Sequence, residues 1–418
     1  MKKIIIVFFI LLCSCSSNDT EKVDLQSFLN EGEIINLFPK KNLNNNDKNV
    51  INNLSINEFS TYNDWSQSNQ NSRNLFSPIK TLIDKNKKTL SKKIQKFLNF
   101  KNQIVTIDSK SVITIYDLNL KKNFSYKLYK RKILSNYNLS FSIGIHKDKL
   151  FISDNLGNIH CLDLKNFELK WKKSYSVPFV SDIKFYKNNF FLINSNSKIY
   201  SFDTTEGKLN WSFETASKDF KDRHSYQIAI SDNKLIFTND SAEIFCLDLQ
   251  TNQIKWSLTF QNNEYENLPK IFKSSPITID NDGNLYISTN YGNAYRIEAN
   301  SGKIIWSIPL IWLNRHLISS KYLITTHIDR FIILNKQNGK ILFNKKIKNT
   351  QKDKNLNFKD LIVSIDNIYL FDESGFIVIL PNKNLNKSSF VKISNSYEDL
   401  ITFKKHVYIN TNYSINKF

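Results

Sequence analysis

Residues 201–211 read SFDTTEGKLNW and form the clearest copy of a motif that recurs along the chain. Four other segments align with this motif without gaps, and they end at Trp171, Trp256, Trp306 and Phe343. The aromatic residues that end successive copies are 40, 45, 50 and 37 positions apart, so the motif is constant while the connections vary in length. A recurrence of this kind indicates one structural unit that is repeated along the chain.

Each repeat also contains short apolar runs separated by polar turns. In one repeat the runs are Gln227–Ser231, Lys234–Thr238, Glu243–Asp248 and Gln253–Phe260, and their length and composition are typical of strands. Degenerate copies on both sides bring the number of repeats to eight. A four-stranded antiparallel sheet repeated in this way can bury its faces only against its neighbours. The sequence therefore predicts an all-β fold, an eight-bladed β-propeller of four-stranded antiparallel blades.

The ends of the repeat series define the predicted domain boundaries. The last repeat, residues 397–418, contains only three strand-like runs, so we predict that an N-terminal strand within Leu75–Ile83 supplies the fourth and closes the ring. The propeller is assigned to residues 61–418. Residues 15–60 show no sustained period and are predicted to be a flexible tether.

The repeated tryptophans are assigned a structural role. A large ring at the start of the outermost strand would pack between adjacent blades. We expect four residues to hold the blades together and to bind no ligand: Trp171, Trp211, Trp256 and Trp306. Trp65 lies outside the repeat and is expected to contribute less to stability.

The N-terminus has the features of an export signal. The apolar run Ile4–Leu12 is too short to span a bilayer, so residues 1–14 are predicted to be a cleaved signal peptide. The run LCSC that ends at Cys15 resembles a bacterial lipobox, which implies that Cys15 carries a lipid. Asp19 would lie at mature position five rather than two, and the resemblance then implies anchoring on the periplasmic face of the outer membrane. Ordinary secretory cleavage is the alternative.

Composition and charge narrow the function classes. The chain has 418 residues, of which 41% are hydrophobic, and this content excludes a disordered protein. Lys and Arg number 58 against 38 Asp and Glu, a formal net charge of +20 that would be compatible with nucleic-acid binding. Export removes nucleic acid as a natural partner.

The run from Asp203 to Trp211 resembles the tryptophan-docking repeat of the PQQ-type propellers. That group contains quinoprotein alcohol dehydrogenases and the BamB lipoproteins of the outer-membrane β-barrel assembly machinery. The lipobox, the eight repeats and the length favour the BamB lipoproteins. Residues 63–71, NDWSQSNQN, also resemble the segment that precedes the propeller in BamB-like proteins, although the Pro and both Gly of that segment are replaced.

The resemblance implies a non-enzymatic scaffold that is monomeric within a hetero-complex. Such a scaffold binds the POTRA domains of the barrel-assembly protein BamA and assists the insertion of nascent outer-membrane proteins. It also implies a contact loop with apolar residues and a basic residue before the start of a blade, and the nearest match consists of Leu268, Ile271, Phe272 and Lys273. If this loop docks, Ile271 and Phe272 are exposed anchors. Alternatively, Ile271 and Phe272 cover the base of a loop or begin an inner strand.

A quinoprotein dehydrogenase and a periplasmic binding module are the two alternatives to the scaffold. A quinoprotein dehydrogenase needs Ca²⁺, a catalytic Asp and commonly a vicinal Cys-Cys pair, and no Cys-Cys pair occurs in the sequence. The six histidines form no H-x-H or H-x-x-x-H pair, so the sequence does not support a metal site. Cys161 and Cys246 share one position of the repeat and are predicted to be core residues. We therefore predict no enzymatic activity and no cofactor; a periplasmic binding module of other specificity is the third class.

Overall fold

The computed structural model describes residues 47–56, 64–76, 78–79, 88–218, 222–260, 271–348, 356–403 and 406–418. Two N-terminal strands, β1 (Lys48–Asn49) and β2 (Lys88–Leu90), precede the first blade. Blades 1 to 4 consist of β3 (Lys96–Phe100), β4 (Gln103–Ile107), β5 (Val112–Asp117) and β6 (Lys122–Lys127); β7 (Phe141–His146), β8 (Lys149–Asp154), β9 (Asn158–Asp163) and β10 (Leu169–Ser174); β11 (Lys184–Tyr186), β12 (Asn189–Ile193), β13 (Lys198–Asp203) and β14 (Leu209–Glu214); and β15 (Ile228–Ser231), β16 (Lys234–Thr238), β17 (Glu243–Asp248) and β18 (Gln253–Thr259).

The second half of the chain continues the same pattern. Blades 5 to 8 consist of β19 (Thr278–Ile279), β20 (Asn284–Ser288), β21 (Ala294–Glu298) and β22 (Ile304–Ile308); β23 (Leu317–Ile318), β24 (Tyr322–His327), β25 (Arg330–Asn335) and β26 (Ile341–Lys346); β27 (Phe358–Val363), β28 (Asn367–Asp372), β29 (Phe376–Pro381) and β30 (Ser389–Lys392); and β31 (Asp399–Phe403), β32 (His406–Asn410) and β33 (Ile415–Lys417). The first strand of each blade lies nearest the axis, and β3 packs beside β31, so the ring is closed. The predicted eight-bladed β-propeller of four-stranded antiparallel blades is confirmed.

The burial of each strand follows from its place in the blade. Middle strands are covered on both faces by neighbouring blades, and β20 is buried at every position. Outermost strands have one open face, and β18 alternates exposed and covered residues along its length. Helical structure in the described ranges is limited to one short helix, α1 (Arg131–Asn136), and a 3₁₀ turn (Arg223–Ser225). No helix in those ranges is long and apolar enough to cross a membrane.

The repeated tryptophans lie between blades, in contact with the turn that joins the last two strands of the following blade. Trp171 donates its indole N–H to the carbonyl of Thr205 at 2.9 Å. Trp256 and Trp306 make the same bond to Ala299 and Lys336, each at 3.0 Å. Trp211 is half-buried and packs in the cluster that joins blades 3 and 4. These contacts are those of residues that hold blades together.

The glycine of the motif is needed because the tryptophan of the preceding blade lies directly over it. Gly207 has a φ of +66°, and a Cβ atom on it would lie 2.7 Å from the ring of Trp171. Asn252 takes the equivalent position in blade 4 with a φ of +57°. Between blades 1 and 2 the pair is replaced by Phe124 and Phe167, whose rings stack at 4.0 Å. Aromatic contact therefore holds this seam although blade 1 has no docking tryptophan.

The strand that closes the ring is not the one that the sequence predicted. β2 pairs with β33, with Lys88 opposite Lys417, and forms the outermost strand of blade 8. Closure by an N-terminal strand is confirmed, but the choice of Leu75–Ile83 was wrong. β2 has only three residues, KTL, and is too short and polar to show a strand period. Leu75 and Phe76 of the predicted range are buried for a different reason.

The described residues 64–76 and 78–79 form a segment that we call the axial belt, which passes the innermost strands of blades 1 to 7 in order. Trp65 exchanges backbone hydrogen bonds with Asn99 of blade 1, and Ile79 donates to Val363 of blade 7 at 2.9 Å. Between these ends the belt carbonyls accept backbone hydrogen bonds from three further blades, at Ile145, Ile230 and Ile279. The belt thus follows the inner wall of the ring from blade 1 to blade 7.

Part of the predicted tether is ordered against the ring. β1 adds a fifth strand to the outer edge of blade 6, with Lys48 opposite Asn344. Leu54 is buried, and its N–H donates to the carbonyl of Asn382 in blade 7 at 2.8 Å. The prediction of a flexible tether is therefore wrong for residues 47–54. A two-residue strand carries no periodic signal that sequence analysis could detect. Residues 1–46, which include Cys15, and residues 57–60 lie outside the described ranges.

Candidate functional site

A cavity of about 520 Å³ lies on the propeller axis, and we call it the funnel. All eight blades contribute to its wall, mostly through residues at or near the start of their innermost strands. The belt contributes Trp65, Ser68, Asn69 and Asn74 to its lining. The funnel is therefore formed both by the blades and by the belt that runs along their innermost strands.

One side of the funnel is formed by blades 1, 3 and 4 and is rich in cations. Asp182 lies 3.9 Å from the Nζ of Lys96 and 3.8 Å from a guanidinium nitrogen of Arg223. Burial alone would raise the pKa of Asp182, but the charges of Lys96, Arg223 and Lys184 outweigh it and hold that pKa well below its usual range. One carboxylate thus faces three cationic side chains.

Lys184 also fastens the belt to blade 3. Its side chain is 2% exposed, and its Nζ donates to the backbone carbonyls of Ser68 and Asn71 in the belt. Burial lowers the pKa of Lys184 to about 7, with the nearby Asp182 acting in the opposite direction. The two carbonyl acceptors satisfy an ammonium group that the cavity wall has largely removed from water.

The opposite side of the funnel, formed by blades 7 and 8, carries carboxylates. Arg315 reaches this side from blade 6 and lies 2.9 Å from Asp360 and 3.2 Å from Asp399. Its guanidinium also lies over the ring of Trp65, 5.1 Å from the ring centroid, and so fastens the belt a second time. Burial raises the pKa of Asp360 to about 6, against the opposing charge of Arg315. Glu398 adds a third carboxylate to this side.

The side-chain oxygen of Asn74 is a buried acceptor at the funnel that lacks a hydrogen-bond partner within the described residues. Asn74 is 2% exposed, and its side-chain nitrogen donates to the carbonyls of Ile228 at 2.9 Å and Ile277 at 2.7 Å. Its Oδ1 has no hydrogen-bond partner within the described structure, although Asn74 lines the cavity. A buried acceptor of this kind is costly unless a donor from outside the chain satisfies it.

The predicted contact loop is only partly exposed. Ile271 is 40% exposed, as expected, whereas Phe272 is 1% exposed and packs between the rings of Phe260 and Tyr291. The expectation that Phe272 is an exposed anchor is wrong, because its ring fills the base of the loop, the alternative that the sequence left open. Leu268 lies outside the described residues.

Lys273 is held by an acidic residue of the same chain. Its Nζ lies 2.9 Å from Asp222, which also lies 2.7 Å from the Nδ1 of His224. Although partial burial favours a higher value, the bonds from Lys273 and His224 lower the pKa of Asp222 to about 2. This cluster ties the contact loop to the 3₁₀ turn at the start of blade 4.

Other sequence-based assignments concern cysteines and metals. Cys161 and Cys246 are fully buried and unpaired, and burial raises the pKa of each thiol to about 12. Within the described ranges, no group of three or more His, Cys, Asp or Glu side chains is arranged to hold a metal ion. Sequence reasoning missed the charged residues of the funnel. Their common signal is a charged residue at or near the start of an innermost strand, found at Lys96, Asp182, Lys184, Arg223, Arg315, Asp360 and Asp399.

Comparison with curated proteins finds two rickettsial relatives. The uncharacterized protein RP232 of Rickettsia prowazekii (strain Madrid E) is 24% identical over 271 residues, which is 60% of this chain and 65% of the relative. The uncharacterized protein RC0314 of Rickettsia conorii (strain ATCC VR-613 / Malish 7) is 23% identical over 257 residues, 58% of this chain and 62% of the relative. The chain thus spans less than two thirds of the length of these relatives.

Solved structures share the propeller fold at low sequence identity. BamB from Moraxella catarrhalis superposes with a TM-score of 0.64 at 14% identity, covering 80% of this chain and 98% of that one. A europium-containing methanol dehydrogenase has the same TM-score at 11% identity, covering 84% and 89%. These likenesses show the fold alone. A family model described as "Outer membrane protein assembly factor BamB" matches residues 119–348. Because that match spans more than half of the chain, this β-propeller belongs to the BamB family of PQQ-type repeat proteins.

Proposed function

We propose that this protein is a non-enzymatic, lipid-anchored scaffold of the machinery that assembles outer-membrane β-barrels. In this role it is held through Cys15 at the periplasmic face of the outer membrane, binds the POTRA domains of BamA and assists the insertion of nascent outer-membrane proteins. The observation that carries the proposal is the family match over residues 119–348, since the family description names outer-membrane protein assembly. A closed ring of eight blades is a rigid support for the rim loops that such a role requires.

The docking surface that we propose is the contact loop before blade 5. Ile271 is its exposed apolar anchor, and Lys273 lies beside it with a side chain that is 39% exposed. The loop backbone is fixed by Asn290, which accepts a hydrogen bond from the N–H of Lys273 and donates one to the carbonyl of Ile271, each at 2.8 Å. An anchor held in one conformation loses little entropy on binding.

The funnel supports the choice of a scaffold over a quinoprotein dehydrogenase. The quinone cofactor of those enzymes carries several carboxylates, and only one side of the cavity offers cations; the other side would place Asp360, Glu398 and Asp399 against it. Like charges placed together in a partly buried site disfavour binding. The propeller fold that the chain shares with a methanol dehydrogenase does not by itself supply a site of matching charge.

The proposal is tested by purifying the tagged protein from detergent-solubilised envelopes and identifying what accompanies it. We expect the barrel-assembly protein to co-purify, and we expect Ile271→Asp, at a side chain that is 40% exposed, to remove it without altering the thermal unfolding temperature. Ile365→Asp is the matched control, because Ile365 is 50% exposed and lies in the turn after β27, away from the rim where the innermost strands begin. Recovery of a bound quinone instead of the barrel-assembly protein would support the dehydrogenase.

A further inference from the structure

The charge distribution in the funnel is bipolar. In a ring of eight blades, blades 3 and 4 lie across the axis from blades 7 and 8. The first pair carries Lys184 and Arg223 around Asp182, and Lys96 of blade 1 joins them. The second pair carries Asp360, Asp399 and Glu398, with Arg315 between two of them. A ligand with a single kind of charge would be attracted by one side and repelled by the other.

Each side of the funnel has a charged side chain that residues of the chain do not fully neutralise. Arg223 has a side chain that is 49% exposed, and it shares the single carboxylate of Asp182 with Lys96. On the other side, Glu398 is exposed and makes no ion pair with any residue that the structure describes. Lys359 also lines the cavity, but its Nζ lies 3.0 Å from Glu373, outside the funnel lining. The charged groups that remain available to a ligand are thus the guanidinium of Arg223 near blade 4 and the carboxylate of Glu398 on blade 8.

The size of the cavity and its unpaired acceptor narrow the ligand further. A volume of about 520 Å³ lies within the range of about 300–1,000 Å³ that is typical of sites for small molecules. The Oδ1 of Asn74 can accept a hydrogen bond from an N–H or O–H donor, and an amide group between the two ends of a ligand would provide an N–H. A ligand with a carboxylate at one end, an ammonium group at the other and amide N–H groups between them meets all three requirements.

We propose that the funnel binds a short zwitterionic peptide of about three residues. Its carboxylate lies against Lys96 and Arg223, its ammonium group lies against Glu398 and Asp399, and a backbone amide donates to the Oδ1 of Asn74. The funnel lining does not include Ile271 or Lys273, so the peptide site does not depend on the proposed docking to the barrel-assembly protein, although the ion pair between Lys273 and Asp222 joins the contact loop to the turn that carries Arg223.

The test is isothermal titration calorimetry of the purified protein with trialanine and with two capped forms of it. N-acetylation removes the ammonium group and C-amidation removes the carboxylate. Each cap is expected to weaken binding roughly ten-fold or more, the usual effect of losing a hydrogen bond to a charged group. Failure of trialanine to bind, or equal binding of all three peptides, would overturn the proposal.

Two variants assign the ends of the peptide. Arg223→Gln should weaken binding of trialanine but leave the affinity of the C-amidated peptide unchanged, because the missing contact involves the carboxylate. Glu398→Gln should weaken binding of trialanine and leave the N-acetylated peptide unaffected. Lys255→Gln, on the outermost strand β18, is the control and should not alter binding. Equal losses for all peptides in both variants would show that the two residues act through the fold and would overturn the assignment.

A variant of the contact loop distinguishes a failure of the peptide site from a failure of the proposed docking. The variant Ile271→Asp, which leaves the ion pair between Lys273 and Asp222 intact, should retain trialanine binding even where it no longer retains the barrel-assembly protein. Tight binding of a carboxylated quinone, with trialanine unable to compete, would overturn the peptide site and support a cofactor in its place.

Discussion

Replacement of Trp65 by Ala is expected to destabilise the propeller more than replacement of Trp211, although only Trp211 belongs to the repeat. Trp65 is 2% exposed, whereas Trp211 is half-buried. The ring of Trp65 packs against Phe76 at 5.6 Å and beneath the guanidinium of Arg315 at 5.1 Å. Burial thus reverses the expectation from sequence that Trp65 contributes less.

The magnitudes follow from burial. Removing a fully buried tryptophan side chain costs about 5 kcal/mol, the upper end of the usual range, and a half-buried one about half of that. The cation–π contact with Arg315 adds about 1 kcal/mol at Trp65. For the compact unit Leu43–Phe418 the entropy of unfolding is about 0.8 kcal/mol/K, so each kcal/mol lowers the Tm by about 1.3 °C. We expect losses of about 8 °C for Trp65→Ala and about 3 °C for Trp211→Ala.

Thermal unfolding followed by tryptophan fluorescence and by circular dichroism measures both losses. Trp65→Phe is the control, because a smaller ring keeps part of the contact with Arg315 and should restore at least half of the loss. A Tm loss in Trp65→Ala that is equal to or smaller than that in Trp211→Ala would refute the view that the belt is part of the core. Trp65→Ala is also expected to weaken the binding of any ligand in the funnel, because Trp65 lines the cavity.

Three further predictions concern other parts of the chain. Gly207→Ala should cost about 2 kcal/mol more than Gly283→Ala, because both glycines have a positive φ but only the first would place a Cβ atom 2.7 Å from a tryptophan ring; equal losses in chemical denaturation would contradict this reasoning. Burial lowers the pKa of His316 to about 3, so below pH 6.5 the unfolded state binds a proton that the folded state does not. The free energy of unfolding should therefore fall by about 1.4 kcal/mol per pH unit from pH 6.5 towards pH 4. His316→Phe should flatten that slope in thermal unfolding at a series of pH values, and an unchanged slope would show that other groups cause it. Cys15→Ser should abolish labelling with a radioactive fatty acid, and labelling that persists or moves to Cys13 would contradict the lipobox assignment.

The repeat motif predicted the blades well because the same physical requirement recurs in each blade. An aromatic side chain such as Trp171 can pack on the next blade only where the turn that it faces lacks a side chain, as at Gly207. The aromatic position recurs five times and the turn glycine three times, at Gly207, Gly302 and Gly339, and together they reveal the period even at low identity. The same argument explains why Cys161 and Cys246 were recognised as core residues, since a shared position in the repeat implies shared burial.

The N-terminal segments could not be predicted in the same way, because each of them has a unique environment. Lys88–Leu90 is a strand only because blade 8 lacks one, and Lys48–Asn49 pairs only because the edge of blade 6 is open. The belt residues form hydrogen bonds with a different blade at nearly every step, so no period of two or of 3.6 appears in them. Their burial follows from the completed ring, which the local sequence does not encode.

The sequence did not predict the charged residues of the funnel, for a related reason. Its charged residues lie far apart in the chain, and each of them resembles an ordinary surface residue within its own repeat. Asp182 and Asp360 become partners of cations only when the ring brings blades 1, 3, 6 and 7 to a common axis. A repeat-by-repeat comparison of the residues near the start of each innermost strand would have shown this difference, since the blades vary there while the docking motif stays constant.

Two independent sets of contacts attach the N-terminal residues to the ring. Asp47 pairs with Arg330 at 2.7 Å, and Lys48–Asn49 pairs with the outer edge of blade 6. Leu54 is buried and donates its N–H to the carbonyl of Asn382 in blade 7. The belt is held by other residues, the buried cations Lys184 and Arg315. Loss of the contacts at residues 47–54 therefore removes none of the contacts with which these two cations hold the belt at the funnel.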